Sequence, residues 1–254
     1  MERITSRKNR LIVHLRTLVA DRDYRRASGK YLCEGEKLLR EAVVSGAEIG
    51  DVLFAAGTAA ELPQGVRRYE APKELLDYVS PLKNCPGPLF TVRIESPSDA
   101  PIRNAVLLEG VQDPGNVGTV LRTANAFGID AVILTGDCAD PYNFKTVRAA
   151  MGALFRQRIV ETGREEAAAL LRGNGLKLYG AALSAAARDV RQVDLRGAAV
   201  AVGSEGRGLS EEMLRLCDGQ IIIPMLPHSE SLNAAVAASL LMWQMNGGAL
   251  PCPC

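Results

Sequence analysis

The stretch AVLLEGVQDPGNVGTVLRTA, residues 105–124, decides the fold. It opens on an unbroken apolar run, 105–108, which reads as a strand buried on both faces. A polar loop follows, broken by Gly110, Pro114 and Gly115. From 117 to 127 the spacing is helical, with Asn116 at the expected cap. The same alternation continues toward the C-terminus. Strands are expected at 131–134, around Val160, and at 176–182, 198–202 and 221–223. Helices are expected at 144–150, 165–171, 211–216 behind Ser210, and 232–245. Short apolar strands separated by helices predict an α/β domain whose parallel sheet is covered by helices on both faces.

Toward the N-terminus the pattern changes. Leu11, Ile12, Leu15, Leu18 and Val19 have helical spacing, and 31–33 reads as a short strand. A helix follows Gly35 and stops near Gly46; strands at 49–55 and 89–94 flank a helix begun by Pro72. Residues 1–94 therefore read as a small α/β domain. Residues 95–103, ESPSDAPIR, are polar and proline-bearing and read as a linker, which leaves 104–254 as the second domain. The last helix is apolar almost all round, from Ala234 to Trp243, so both its faces need cover. A subunit interface and a central core position both satisfy that need.

Composition removes several classes. No apolar run approaches the roughly 20 residues of a membrane span, and no signal-peptide core follows the basic N-terminus, so a cytoplasmic protein is expected. Six scattered cysteines without a CxxC pair argue against a zinc or disulfide framework. The terminal Cys252 and Cys254 read as a tail, and no metal site is expected. His14 and His228 are the two histidines and fall in different domains, which disfavours a triad. Net charge is +1, yet residues 1–30 hold nine basic side chains against three acidic ones. Such a patch suits a polyanion, or forms a solvated helix face.

Three loops of the second domain can carry chemistry. In the first, Arg122 sits six residues beyond Asn116 in an apolar setting, where a cation needs an anionic partner. An RNA phosphate or an internal salt bridge would serve. The second, Gly203-Ser204-Glu205-Gly206-Arg207-Gly208, follows a strand. Its glycines stand as GxxGxG, the reverse of the dinucleotide fingerprint, and it lacks the Lys-Ser/Thr of a phosphate loop. A nicotinamide-dependent enzyme is thereby disfavoured, while the glycines still admit a ligand close to the backbone. The third runs from Ile223 to Asn233, with Ser231 and Asn233 at the helix start.

Together, residues 116–124, 203–209, and 223–225 with 231–233 resemble, in order and spacing, the three motifs of the SpoU (TrmH-like) family of RNA 2′-O-ribose methyltransferases of the SPOUT class. Residues 3–93 resemble the RNA substrate-binding domain of some members, on Ile4 to Asn9 and Glu34 to Lys37. The resemblance implies S-adenosylmethionine as cofactor, a trefoil knot in the second domain, and a homodimer formed through it. It implies catalytic roles for Arg122, Asn116, Glu205, Ser231 and Asn233. It implies cofactor contacts from Gly203, Glu205, Gly206, Ile223, Leu232 and Asn233. Two departures stand out: Pro227 replaces a usual glycine, and Asn125 a frequent aspartate.

The implied reaction is attack of a ribose 2′-oxygen on a sulfonium methyl. A guanidinium holds its proton at ordinary pH, so Arg122 suits a phosphate clamp and oxyanion stabiliser, with base action left open. Asn116 would orient Arg122 and the ribose. The basic residues Arg7, Lys8, Arg10, Arg25, Arg26 and Lys30 are the expected RNA contacts. Ribosomal RNA is the expected substrate; transfer RNA, base methylation and a non-catalytic RNA-binding role are the alternatives.

Overall fold

The computed structural model describes residues 1–96, 98–226 and 231–246. Pro227, His228, Cys252 and Cys254 lie outside them. Along the chain run β1 (Glu2–Arg3), α1 (Arg10–Ala20), α2 (Arg22–Ser28), β2 (Lys30–Glu34), α3 (Glu36–Ser45), β3 (Ile49–Ala55), β4 (Arg67–Ala71), α4 (Lys73–Val79) and β5 (Leu89–Arg93). Then come β6 (Ala105–Glu109), α5 (Pro114–Ala126), β7 (Ala131–Thr135), α6 (Phe144–Ala150), β8 (Arg158–Glu161), α7 (Arg164–Gly173), β9 (Leu178–Ala181) and β10 (Arg188–Asp189). The chain closes with β11 (Ala199–Gly203), α8 (Glu211–Leu216), β12 (Gly219–Ile222) and α9 (Ala234–Asn246). It divides into two compact units. The first takes Met1–Ser96 and also Asp140–Arg156; the second takes the rest.

In the first unit a five-stranded sheet has the order β1-β4-β3-β5-β2, with β5 antiparallel to both its neighbours. Ile12, Leu15 and Leu18 of α1 are buried in its core, at the spacing of one helix face. Asn9 caps α1 by accepting from the Leu11 N–H at 2.8 Å. Asp21 then caps α2, a helix with no apolar period to announce it. Strand β4, Arg-Arg-Tyr-Glu-Ala, is likewise absent from the sequence reading because its side chains do not alternate. Segment 140–156 belongs here for three reasons. Arg25 pairs with Asp140, the rings of Tyr31 and Tyr142 stand 5.2 Å apart, and Phe144 joins the core.

In the second unit seven strands, all parallel, have the order β10-β12-β9-β11-β6-β7-β8. Ala105 and Leu107 of β6 face a core shared with Ala167 and Leu171 of α7 and Met213 of α8. Val106 and Leu108 point the other way and are also buried. On that side α5 packs against α9 and β7, and α9 against β11. The loops after the adjacent strands β6 and β11 thus lead to helices on opposite faces. In a parallel sheet that arrangement opens a crevice at the carboxyl ends of the two strands. The end of the expected linker is anchored: Ile102 is buried, its N–H donates to Asn174 Oδ1 at 2.8 Å, and Arg103 pairs with Asp130.

Candidate functional site

Three loops meet at the carboxyl ends of β6, β11 and β12. After β6, Gly110 turns the chain at φ 64°, in the left-handed region. The cap of α5 is Asp113 rather than Asn116: its carboxylate accepts from the Asn116 N–H at 2.8 Å, and Pro114 takes the first turn, where no N–H is needed. The helix therefore begins earlier than its apolar period suggests. Asn116 lies in its first turn, with its side chain available to other loops.

Its Nδ2 donates to Glu205 Oε1, and its Oδ1 accepts from Asn233 Nδ2 at 3.1 Å. Both amide orientations are dictated by their partners. A carboxylate only accepts, so the Asn116 NH2 must face Glu205. The Asn233 Oδ1 accepts from the N–H groups of Ala235 and Val236 at 3.0 and 3.2 Å, capping α9, so its NH2 must face Asn116. Residues from three segments, far apart in sequence, form one hydrogen-bonded row.

Beside this row lies a cavity of about 510 Å³. Gly203, Glu205, Gly206, Ile223, Ser231 and Leu232 line it, whereas Asn233 stands outside it and braces the rim through Asn116. Met225 and Leu209 also line it, and the sequence reading gave neither a role. Gly203 admits no side chain: a Cβ there would lie 2.0 Å from the carbonyl carbon of Gly208. Gly208 folds back by donating its N–H to the Ser204 carbonyl at 2.8 Å. Among the described residues, the N–H groups of Met225, Ser231 and Leu232 donate to no protein acceptor.

Arg122 is exposed, and among the described residues it makes no ion pair or hydrogen bond. This corrects the expectation of a cation in an apolar setting: position 122 falls on the solvent side of α5, while Leu121 and Ala124 turn inward. Asn116 bonds to Glu205 and Asn233, not to Arg122. In the first unit Arg7, Lys8 and Arg10 are exposed, as is Arg26, with Lys30 half-buried. Arg25 is removed from this basic surface. It is 2 % exposed, donates twice to Asp140 Oδ2 at 2.6 and 2.9 Å, and donates to the Leu18 carbonyl at 2.6 Å. Arg7 and Arg16 instead stack on the Tyr78 ring, their guanidinium carbons 4.5 and 3.9 Å from its centroid.

One buried group near the site has no role in the sequence reading. Glu109, the last residue of β6, accepts from Arg164 Nε and from the Ser210 N–H and hydroxyl at 2.8 and 2.7 Å. Burial pushes its carboxyl up, but these donors outweigh burial and hold it below the usual carboxylate range. An acid ending an apolar strand is the only signal the sequence carries for it. Among the described residues no group of histidine, cysteine or acid is arranged to hold a metal ion.

A family model described as the SpoU rRNA methylase family matches residues 103–243. The chain is 31 % identical over 249 residues to the 23S rRNA (guanosine(2553)-2′-O)-methyltransferase RlmP of Bacillus subtilis, covering 97 % of this chain and 100 % of that protein. An AdoMet-bound rRNA methyltransferase from Sinorhizobium meliloti superposes with a TM-score of 0.87 at 26 % identity, covering 98 % of this chain and 99 % of that one. The SpoU methyltransferase AviRb from Streptomyces viridochromogenes, in complex with AdoMet, superposes with a TM-score of 0.80 at 26 % identity, covering 94 % and 97 %.

Proposed function

The chain belongs to the SpoU rRNA methylase family, and from that premise we propose that it methylates a ribose 2′-hydroxyl of large-subunit ribosomal RNA, with S-adenosylmethionine as donor. The observation that carries this reading is the row Glu205–Asn116–Asn233 at the rim of the cavity. It joins residues of all three motifs at the place where parallel α/β sheets take their ligands.

The residues present fit the cofactor. The cavity lies in the range of roughly 300–1,000 Å³ usual for small-molecule sites. Gly203 and Gly206 let a ligand approach the backbone, and the N–H groups of Met225 and Leu232, which have no acceptor among the described residues, can hold an adenine or ribose edge. Glu205 on the loop disfavours a phosphate and favours a cation. When bound, S-adenosylmethionine supplies an electrophilic methyl group. The chain's own residues do the rest. Arg122, exposed and without a partner among the described residues, clamps the RNA phosphate and stabilises charge growing on the 2′-oxygen. Asn116, held from both sides, presents a fixed edge to the ribose, and Ser231 lies at the cavity wall beside it. Holding the two reactants together supplies much of the acceleration.

Residues 1–94 carry the RNA-binding surface, through Arg7, Lys8, Arg10, Arg26 and Lys30, joined by Arg16. Residues 95–103 link them to the methyltransferase domain at 104–254, of which residues 140–156 fold with the first unit. A trefoil knot in that domain and a cytoplasmic homodimer complete the reading. The dimer is supported by Val236, Leu240 and Trp243 of α9, apolar side chains that stand 47, 46 and 54 % exposed.

Methyl transfer from labelled S-adenosylmethionine to ribosomal and transfer RNA, run side by side, tests the reading. Label in 23S rRNA, recovered as a 2′-O-methyl nucleoside after digestion, is the expected result. Label on a base or in transfer RNA would redirect it. RNA binding without transfer would leave a binding protein on the same fold.

A further inference from the structure

We propose that Glu109 is a positioning residue for this reaction: its buried carboxylate closes the loop that carries Glu205 and so holds Glu205 against Asn116. The inference rests on the reading above and deepens it.

Glu109 ends β6 and is 4 % exposed. In the neighbouring strand its register partner is Gly203, the residue from which the Glu205 loop departs. The loop returns at Ser210, whose N–H and hydroxyl both donate to the Glu109 carboxylate. Both ends of the loop are thus fixed to one residue, one by the strand ladder and one by a side chain. In the other direction the Glu109 backbone runs through Gly110 and the Asp113 cap to Asn116, which donates to Glu205. Two chain segments and two side-chain contacts make a closed circuit. Both contacts end on a carboxylate; the Ser210 contact is partly buried, on a carboxylate withdrawn from water, and the Asn116 contact is exposed.

The partly buried contact is the one that can hold the shape. Hydrogen bonds to an ionised group shielded from water are stronger than neutral or exposed ones. Three donors converge on this carboxylate, two from Ser210 and one from Arg164, whose charge is shared with Glu212 at 3.4 Å. A glutamine here would turn its amide protons toward one of those donors. Ser210 adds stiffness: its oxygen also accepts from the Met213 N–H at 3.1 Å and caps α8, so a shift of the carboxylate moves the start of that helix. Nothing in the circuit requires Glu109 to touch RNA or cofactor; it acts through the Asn116–Glu205 contact.

The experiment uses the full chain as wild type, Glu109→Gln, Asn116→Ala and the double variant. Backbone hydrogen exchange over residues 204–210 and single-turnover methyl transfer are both measured. Glu109→Gln is expected to speed exchange in that loop about tenfold with the two sheets unchanged, and to slow the single-turnover rate about 10- to 100-fold at nearly unaltered RNA affinity. In the Asn116→Ala background the same substitution is expected to cost less than about threefold more, because the contact it supports is already gone. Unchanged loop exchange, an unchanged rate, or losses that multiply in full in the double variant would each overturn the proposal, the last by reducing Glu109 to a general stabiliser. Should Glu109→Gln not fold, Ser210→Ala, which keeps the N–H donor, enters the same cycle under the same criteria. Should the wild type transfer no methyl, the function proposed above falls, and the exchange comparison alone then decides whether Glu109 closes the loop.

Discussion

The regions around Arg25 and Arg122 put one side chain to opposite uses. Arg25, in α2, is withdrawn from water, and its guanidinium is spent on Asp140 and on the carbonyls of Leu18 and Val19. Arg122, in α5, faces solvent with no ion pair or hydrogen bond among the described residues. A buried guanidinium persists only when it is fully paired, and full pairing leaves nothing for an outside ligand. An exposed, unpaired one costs the fold little and keeps its donors available. The availability of an arginine for RNA is thus decided by its burial and pairing, not by its place in a basic run.

That contrast can be broken by measurement. The largest expected effect is on stability, for Arg25→Ala: removing one partner of a buried pair costs about 3–5 kcal/mol, read from denaturant midpoints. A loss under about 1 kcal/mol would mean that Asp140 relaxes to water and that Arg25 is no structural anchor. Next comes Arg122→Ala. Here unfolding should move by no more than about 0.5 kcal/mol, as for an ordinary surface substitution. The rate of methyl transfer should fall about 10²–10³-fold, the scale of losing one transition-state donor. Retained transfer with normal cofactor binding would remove Arg122 from the site.

Glu109 sharpens the comparison from the acid side. Its carboxyl is held below the usual range by Arg164 and Ser210 in spite of burial. A depressed folded-state pKa stabilises the fold above the ordinary carboxylate value, about 4.3, and that stabilisation is lost as pH falls through the folded value. Wild type should therefore exceed Glu109→Gln in thermal midpoint at pH 7, with the gap closing on acidification; a pH-independent gap would sink the assignment. The smallest effect belongs to an arginine that is paired and exposed. Arg103 donates to both carboxylate oxygens of Asp130 from the surface, its side chain 82 % exposed. Arg103→Ala should cost only about 0.2–1 kcal/mol and shrink further with salt.

The misreadings at the site follow the same logic. Asn116 fits the expected cap by its place before an apolar period, but helix periodicity reports where burial begins, not where backbone hydrogen bonding begins. Asp113 and Pro114 start α5 earlier, in a turn that buries little. Strand β4 and helix α2 escape detection because neither shows an apolar period; each is held by its neighbours, β4 by pairing with β1 and β3, and α2 by its cap and by Arg25. Segment 140–156 looks like the next turn of a βαβ alternation, and its helix does form at 144–150. Its core partners, however, are those of the first unit, and no local pattern encodes a partner more than a hundred residues away.

By itself the sequence determined the α/β class, the parallel strands of the second unit, the three ligand-bearing loops and the family to which they belong. These are properties of local composition: apolar runs of strand length, helical spacing, and small or polar residues where a strand gives way to a helix. Tertiary structure alone decided which of the named residues meet. It joined Asn116 to Glu205 and Asn233, buried Arg25, exposed Arg122 and set Glu109 beneath the Glu205 loop. Those outcomes depend on strand order and register, and β11 lies beside β6 across an interval of about ninety residues. Side chains so distant in the chain become neighbours through backbone pairing and core packing, which act between segments and leave no trace in the spacing of either.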